Sequence, residues 1–566
     1  MLTFKEFPYE RPQLDKMLAE AETIAQSIEN AKNAQTVFDG IKAWESLQGH
    51  FMTMANVAHI RYTVDTTDPF YLKEKEYLDQ AKPRMMTAEK RVYATIANSS
   101  FAKDIDEKYG PHYLNILRLE QKLLDERLVE PMIEENRLAA EYQKRMAACQ
   151  VECRGEVRNI YGLLKLMQDD DRAVRKEAFE AWAGFFAENQ DFFDDIYDRL
   201  VKLRHSMAKT MGYENFIPIA YMRKGRSDYG PKEVARFREQ VLRDLVPLCN
   251  RIRQAQAKRI GVDKLHFYDE TYMFATGNPM PKGNKDELVQ SALEMYRELS
   301  PETGRFFGDM VDMELFDLES KPGKANGGYC TFLPEYKMPF IFSNFNGTSA
   351  DVNVLTHENG HAFMGYESSR VNELLKYRGS TSEVAEIHSM SMEFFTHPYM
   401  EKFFGDQADK YRYAHIADSL IFVPYGVCVD EFQHRVYENP DLTPKQRRAL
   451  WRDLERKYLP HRDYDGNETM ENGAFWFKQL HIFLYPFYYI DYTLASMGAF
   501  AYYGRDLKDH NEAWQSYLKL CRAGGSKPYL QLLKLAGLDN PFEEGSVRRA
   551  IEPLEKELNK VDDSKL

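Results

Sequence analysis

His357-Glu358-Asn359-Gly360-His361 is an H-E-x-x-H run. On a helix, residues i and i+4 lie one above the other, so both imidazoles can reach one tetrahedral metal ion. Glu358 falls about 100° further round the helix, where it chelates less easily but can touch a water held at the metal. With 14 histidines in the chain, a chance match is expected only roughly 0.03 times. Asn359 and Gly360 are both weak helix formers. Gly360 is therefore read either as a tolerated weakness or, the reading adopted here, as room for the close approach of another backbone.

A catalytic zinc site needs a third protein ligand and one open position. The residues after His361 are Ala-Phe-Met-Gly-Tyr-Glu367, so the third histidine of metzincins is absent. Glu367, Glu373, Glu383, Glu386 and Glu393 are the glutamate candidates downstream. Ser380-Thr-Ser-Glu383 reads as a capping box, which gives Glu383 a structural task at the third helical position. Glu386, one turn on, is then free to point at the metal. Glu393, two turns beyond it on the same face, can orient a ligand imidazole. His388 is off that face and His397 precedes a proline past the helix; both read as core or surface histidines.

These groups need a scaffold. A turn-rich loop from Lys321 leads into Tyr329–Leu333 and Phe340–Phe345, which read as two short strands. Asn346-Gly347-Thr348-Ser349 closes the second strand and caps a helix beginning near Asp351. Phe340–Phe345 is read as an edge strand beside which a peptide could add through backbone hydrogen bonds. The Gly327-Gly328 loop is either a place of close approach for that peptide or a structural turn. Upstream, residues 12–200 read as long amphipathic helices, with Leu14, Met17, Leu18, Ala21 and Ile24, and later Phe179, Trp182, Phe185 and Phe186, at helical spacing. Breaks are expected at Thr66–Pro69, Tyr109–Pro111 and Met211–Tyr213. A loop at Gly225–Pro231 precedes a helix from Lys232 past Arg259. Helices dominate again after the motif, interrupted at Pro440, Asp465-Gly466 and Gly524-Gly525. Leu480–Tyr503 lacks Lys and Arg, but His481, Asp491 and many tyrosines make it a buried helix and not a membrane span. The expected fold is mainly α, a multi-helical chain with a small β-sheet beside the H-E-x-x-H helix. An N-terminal helical region is placed at 1–200 and a catalytic region at 201–566.

The run Pro339–Phe363, followed by Ser382-Glu-Val-Ala-Glu-Ile-His-Ser-Met-Ser-Met-Glu-Phe-Phe395, resembles the M3 family of zinc oligopeptidases, in particular its oligoendopeptidase F and Pz-peptidase branch. Arg61–Asp68 and Ser526–Gly537 extend the likeness over most of the chain. The resemblance implies one zinc ion bound by His357, His361 and Glu386. The family motif has Phe where this chain has Asn359, a change of local packing that leaves the ligands untouched. The family also uses a histidine and tyrosines on a late helix to hold substrate and stabilise the tetrahedral intermediate; the matching residues are His481, Tyr485, Tyr489 and Tyr492. The spacing of those tyrosines puts their hydroxyls along one helix face, and a phenol near zinc can donate to an oxyanion. Tyr488 lies in the same run, which otherwise reads as a Tyr-rich buried helix. Pro486 implies that the helix starts after it or is kinked there. The resemblance further implies a helical shell around a deep internal substrate channel, one wall of it N-terminal, that excludes folded proteins.

Composition narrows the function. Of 566 residues, 43% are hydrophobic and 29% charged, with a net charge of −13; such a chain is globular and lacks the concentrated positive charge that nucleic acid requires. Six cysteines make no disulfide framework, and Cys149 with Cys153 reads as two small residues on one helix face. Charges stand where a signal peptide needs an apolar core, so the expected location is cytoplasmic. The expectation is a zinc-dependent endopeptidase that hydrolyses internal bonds of short oligopeptides, with Glu358 moving the water proton to the leaving amine. The alternatives are a zinc carboxypeptidase on a similar helical scaffold and a non-catalytic helical binding protein with a fortuitous motif.

Overall fold

Leu14, Met17, Ala21 and Ile24 are buried along the helix Leu14–Glu29, which packs on Ala34–Val64 and Pro69–Ala97. The apolar spacing thus dictates the first helical layer. The computed structural model to which these helices belong describes residues 2–123 and 125–566. The chain is mainly helical with two small sheets, as the sequence predicts. It divides into one unit of residues up to 123, 280–405 and 505–538, and a second of 125–279, 406–504 and 539–566. The expected breaks hold: Asp68 accepts the backbone N–H groups of Phe70 and Tyr71 at the start of Pro69–Ala97, and Gly110 at φ +83° separates Ala102–Tyr109 from Pro111–Lys122.

The first unit carries a three-stranded sheet. With β1 (Val151–Cys153) and β2 (Glu156–Arg158) forming a hairpin in the other unit, its strands are β3 (Phe316–Glu319), β4 (Tyr329–Leu333) and β5 (Met338–Phe345). The order is β3-β5-β4, with β3 parallel and β4 antiparallel to β5. Both expected strands form, but β5 is central and not an edge. It pairs with β4 over Met338–Phe342 and with β3 at Ile341, Phe342 and Phe345, so it is not the free edge expected for an added peptide; the missed strand β3, four residues long and before the turn-rich loop, takes one side. Lys324 locks the arrangement. Its fully buried Nζ donates to Asp317 Oδ1 at 2.5 Å, to the Glu319 carbonyl at 2.7 Å and to the Ser343 carbonyl at 2.6 Å. Gly328 packs on the Phe342 carbonyl of β5, where an added Cβ would lie 3.3 Å away, as a structural turn would.

In the second unit Phe179, Trp182, Phe185 and Phe186 are buried on Arg172–Glu188. The expected long helix after Pro231 is continuous to Arg259, with one π turn at Val241–Leu245; Pro247 has no N–H to keep the regular ladder there. Two expectations fail in this unit. Cys149 follows the end of the helix Val129–Ala147 and Cys153 lies in β1, because the turn at Arg154-Gly155, both at positive φ, makes a hairpin that helical periodicity could not reveal. Leu480–Tyr503 is not one helix: it breaks into Leu480–Leu484 and Tyr489–Asp506, the second starting after Pro486 as that proline implied. Among the described residues no helix is long and apolar enough to cross a membrane.

Candidate active site

The H-E-x-x-H residues lie on the helix Ser349–Val371, directly after β5. Its start is two residues earlier than expected and is fixed from the side: Asp351 accepts the N–H groups of Asn346 and Gly347, and Asn346 Oδ1 accepts that of Thr348. The helix Ser382–Phe395 packs against it. A Cβ on Gly360 would lie 2.5 Å from Ser389 Cα and 2.6 Å from the His388 carbonyl oxygen. Glycine is required because the two backbones touch there, as its placement in the motif suggested. Asn359 is buried and donates to the Leu355 carbonyl of its own helix at 2.7 Å, which satisfies half of an otherwise costly polar group.

This crossing brings three donors together. His357, His361 and Glu386 offer ligand atoms that all lie within 4.8 Å of one another, with Glu386 Oε2 3.4 Å from His357 Nε2 and 3.5 Å from His361 Nε2. No other group of His, Cys, Asp or Glu among the described residues meets that geometry. Burial would raise the Glu386 carboxyl, but the two imidazoles outweigh it and hold the group well below the usual range. Glu393 reaches the far side of His357, 2.5 Å from Nδ1, leaving Nε2 on the side of Glu386. Ser389, which sequence reasoning passed over, donates to Glu386 Oε2 at 2.9 Å; its i+3 spacing from Glu386 was the available signal.

The remaining glutamates are elsewhere. Glu367 is buried and accepts from Arg522 at 2.8 Å. The capping box at Ser380–Glu383 does not form. Thr381 is the N-cap and makes no side-chain bond, so the helix starts one residue late for the box and Glu383 enters the interior. His388 is buried and burial lowers it to about 3, so it is a neutral core histidine. Glu358 is half-buried and near enough to Cys330, on edge strand β4, for its charge to add to burial in raising that thiol.

The aromatic segment belongs to the second unit. Tyr485 lies outside any helix at φ −131° and is 51% exposed, so Tyr485, Tyr489 and Tyr492 do not share one helix face. They gather instead around the His481 ring, whose centroid is 6.3 Å from Tyr485, 5.0 Å from Tyr489 and 6.0 Å from Tyr492. Tyr488, of the same run, stacks on His481 at 5.5 Å with planes 20° apart. Gln479 fixes the imidazole at Nδ1, 2.8 Å away, and accepts from Tyr425 at 2.6 Å. Burial raises the Tyr489 phenol above its ordinary value, which keeps it a proton donor.

A helical scaffold that presents two histidines of an H-E-x-x-H helix and a glutamate of the next helix to one point defines a metallopeptidase-like class. Residues 4–124 match the Peptidase M3 N-terminal domain, and residues 165–300 and 302–550 match Peptidase family M3. The chain belongs to peptidase family M3. It is similar over 99% of its length, and 100% of the other chain, to the solved structure of Pz peptidase A with an inhibitor, at 46% identity and a TM-score of 0.92. Among curated relatives it is 23% identical over 407 residues to oligopeptidase PepF of Bacillus subtilis (strain 168), 71% of this chain and 59% of that one. It is 25% identical over 403 residues to the chromosomal oligoendopeptidase F of Lactococcus lactis subsp. cremoris, 70% of this chain and 65% of that one. The chain thus spans about 60% of the length of these two curated relatives. The branch suggested by the sequence resemblance, oligoendopeptidase F and Pz peptidase, is borne out.

Proposed function

We propose that this chain is a zinc endopeptidase that cleaves internal bonds of short oligopeptides. The observation that carries the reading is the convergence of His357, His361 and Glu386 within 4.8 Å, next to Glu358. Two imidazoles and one carboxylate are the donor set of catalytic zinc sites, and they leave a position open, so the residues present fit the ion. When bound, zinc polarises a carbonyl and makes water acidic enough to attack near neutral pH. Glu358 accepts the proton of the attacking water and delivers it to the leaving amine nitrogen. Glu393 holds His357 by Nδ1 and Ser389 holds Glu386, so both candidate ligands are oriented before binding. His481 and Tyr492 take the oxyanion-stabilising role that the resemblance assigns them, with Tyr485 and Tyr489 as further substrate-holding groups. Pz peptidase A, oligopeptidase PepF and oligoendopeptidase F support peptides as the substrate class. Six free cysteines suit a reducing compartment such as the cytoplasm.

Digestion of a mixed-length peptide library, read by mass spectrometry with and without chelator, tests the whole reading. Internal cleavage confined to short peptides, abolished by chelator and restored by zinc, is expected. Stepwise loss of C-terminal residues would make the protein a carboxypeptidase, and chelator-insensitive cleavage would remove the metal from the mechanism.

A further inference from the structure

Phe487 stands between the two halves of the aromatic segment at φ +61°, in the left-handed region that a bulky residue avoids. Both of its backbone polar groups are taken by side chains of the same unit. Its N–H donates to Gln433 Oε1 at 2.9 Å, and its carbonyl accepts from Arg226 Nη2 at 2.5 Å. The same Arg226 nitrogen donates to Asp491 Oδ1 at 2.5 Å, on the first turn of Tyr489–Asp506. Arg226, Gln433, Asp491 and Phe487 are all buried. The Phe487 ring is wedged against His434, Tyr437 and Tyr221, with centroids 4.6, 5.6 and 5.8 Å away. Two residues before Arg226, Lys224 sets its ammonium 3.8 Å from the centroid of the Tyr488 ring, the ring that stacks on His481.

Pro486 and the Tyr488 N–H, which donates to the Tyr485 carbonyl at 3.1 Å, favour a tight turn here, but its third position suits glycine and not phenylalanine, so the surroundings must hold Phe487 in it. A buried arginine–aspartate pair is a costly way to do so, because apolar side chains of similar volume would stabilise the fold as well. What the pair adds is direction: one guanidinium nitrogen ties the strained carbonyl to the start of the following helix. We infer that Arg226, with Gln433 and Asp491, is a positioning residue for the reaction. It holds the Tyr485–Tyr488 turn in the one conformation that packs Tyr488 on His481. The inference rests on the catalytic role given to His481 above.

Arg226→Met/Asp491→Asn removes both charges together and leaves the Phe487 carbonyl without its donor; Gln433→Leu removes the acceptor of the Phe487 N–H without touching a charge. Each is expected to keep its zinc content and KM and to lose about 10²-fold in kcat, the scale of a misplacement near 1 Å. In a His481→Ala background the same substitutions should cost little more, because the clamp acts through that ring; groups that act as a unit are non-additive. Unchanged kcat in folded clamp variants, or a loss that multiplies fully with His481→Ala, overturns the inference while leaving His481 in its role. Wild-type kcat in His481→Ala refutes the role of His481 itself and removes the basis of the inference. If the charge-pair variant does not fold, Gln433→Leu carries the comparison alone.

Discussion

Gly360→Ala puts the crossing of the two ligand-bearing helices to a direct test. The added methyl would begin 2.5 Å from Ser389 Cα and 2.6 Å from the His388 carbonyl oxygen, whereas ordinary contact starts near 3.4 Å. Both obstacles are backbone, so no side chain can swing away; the helices Ser349–Val371 and Ser382–Phe395 must part by about 1 Å, and close-packed interiors resist that. Helix propensity pulls the other way by about 1 kcal/mol, against an overpacking cost of about 1–3 kcal/mol. Net destabilisation of up to about 2 kcal/mol follows from these two opposing effects. The metal site should register the change more sharply. His357 and His361 ride on one helix and Glu386 on the other, and metal–ligand distances tolerate only about 0.2 Å. Zinc affinity, measured by competition with a chelating dye, is therefore expected to fall by 10- to 100-fold, on the order seen when ligands are misoriented. Gly308→Ala is the control: Gly308 lies inside the helix Pro301–Asp312 with nothing within 4 Å of its added Cβ, so it should gain a little stability and leave zinc binding alone. A Gly360→Ala protein that matched that control in melting temperature and zinc affinity would refute the argument that the crossing requires glycine.

Glu358→Gln should keep stoichiometric zinc and lose nearly all turnover, since the amide preserves shape but accepts no proton; wild-type kcat in the metal-loaded variant would take Glu358 out of the mechanism. Glu386→Ala should weaken zinc binding severely through loss of a direct bond. Glu393→Ala, which frees His357 Nδ1, should cost about 10- to 100-fold in affinity or activity, and metal analysis giving the reverse order would move the ligand assignment two turns along the helix. Tyr492→Phe should lower kcat by about 10²–10³-fold with KM nearly constant, the scale of losing one oxyanion donor; a lowered melting temperature with normal kcat would make Tyr492 a core residue.

The sequence alone placed the candidate site residues wherever the needed geometry is local. His357, Glu358 and His361 are set by one helical turn, so their spacing carries the information. Spacing also placed Glu386 and Glu393 two turns apart on one face of one further helix. The capping box that set Glu386 apart from Glu383, however, does not form; helix starts shift by a residue at small cost, and Thr381 takes the cap position. The close backbone approach at Gly360 was legible because only glycine explains itself there.

What the tertiary structure decided depends on partners distant in sequence. Whether β5 is an edge or a centre rests on β3, a four-residue strand with too little pattern to announce itself. Cys149 and Cys153 have helical spacing, yet a two-residue turn puts them in a hairpin region. The aromatic segment has the spacing of one helix face, but Pro486 breaks the helix and Phe487 takes a left-handed turn. Tyr488 thereby stacks on His481 and Tyr485 leaves the helix, and that turn is held by Arg226 and Gln433, 261 and 54 residues away in the chain. Periodicity reports what one element can bury; it is silent on a strained conformation that long-range hydrogen bonds help to hold.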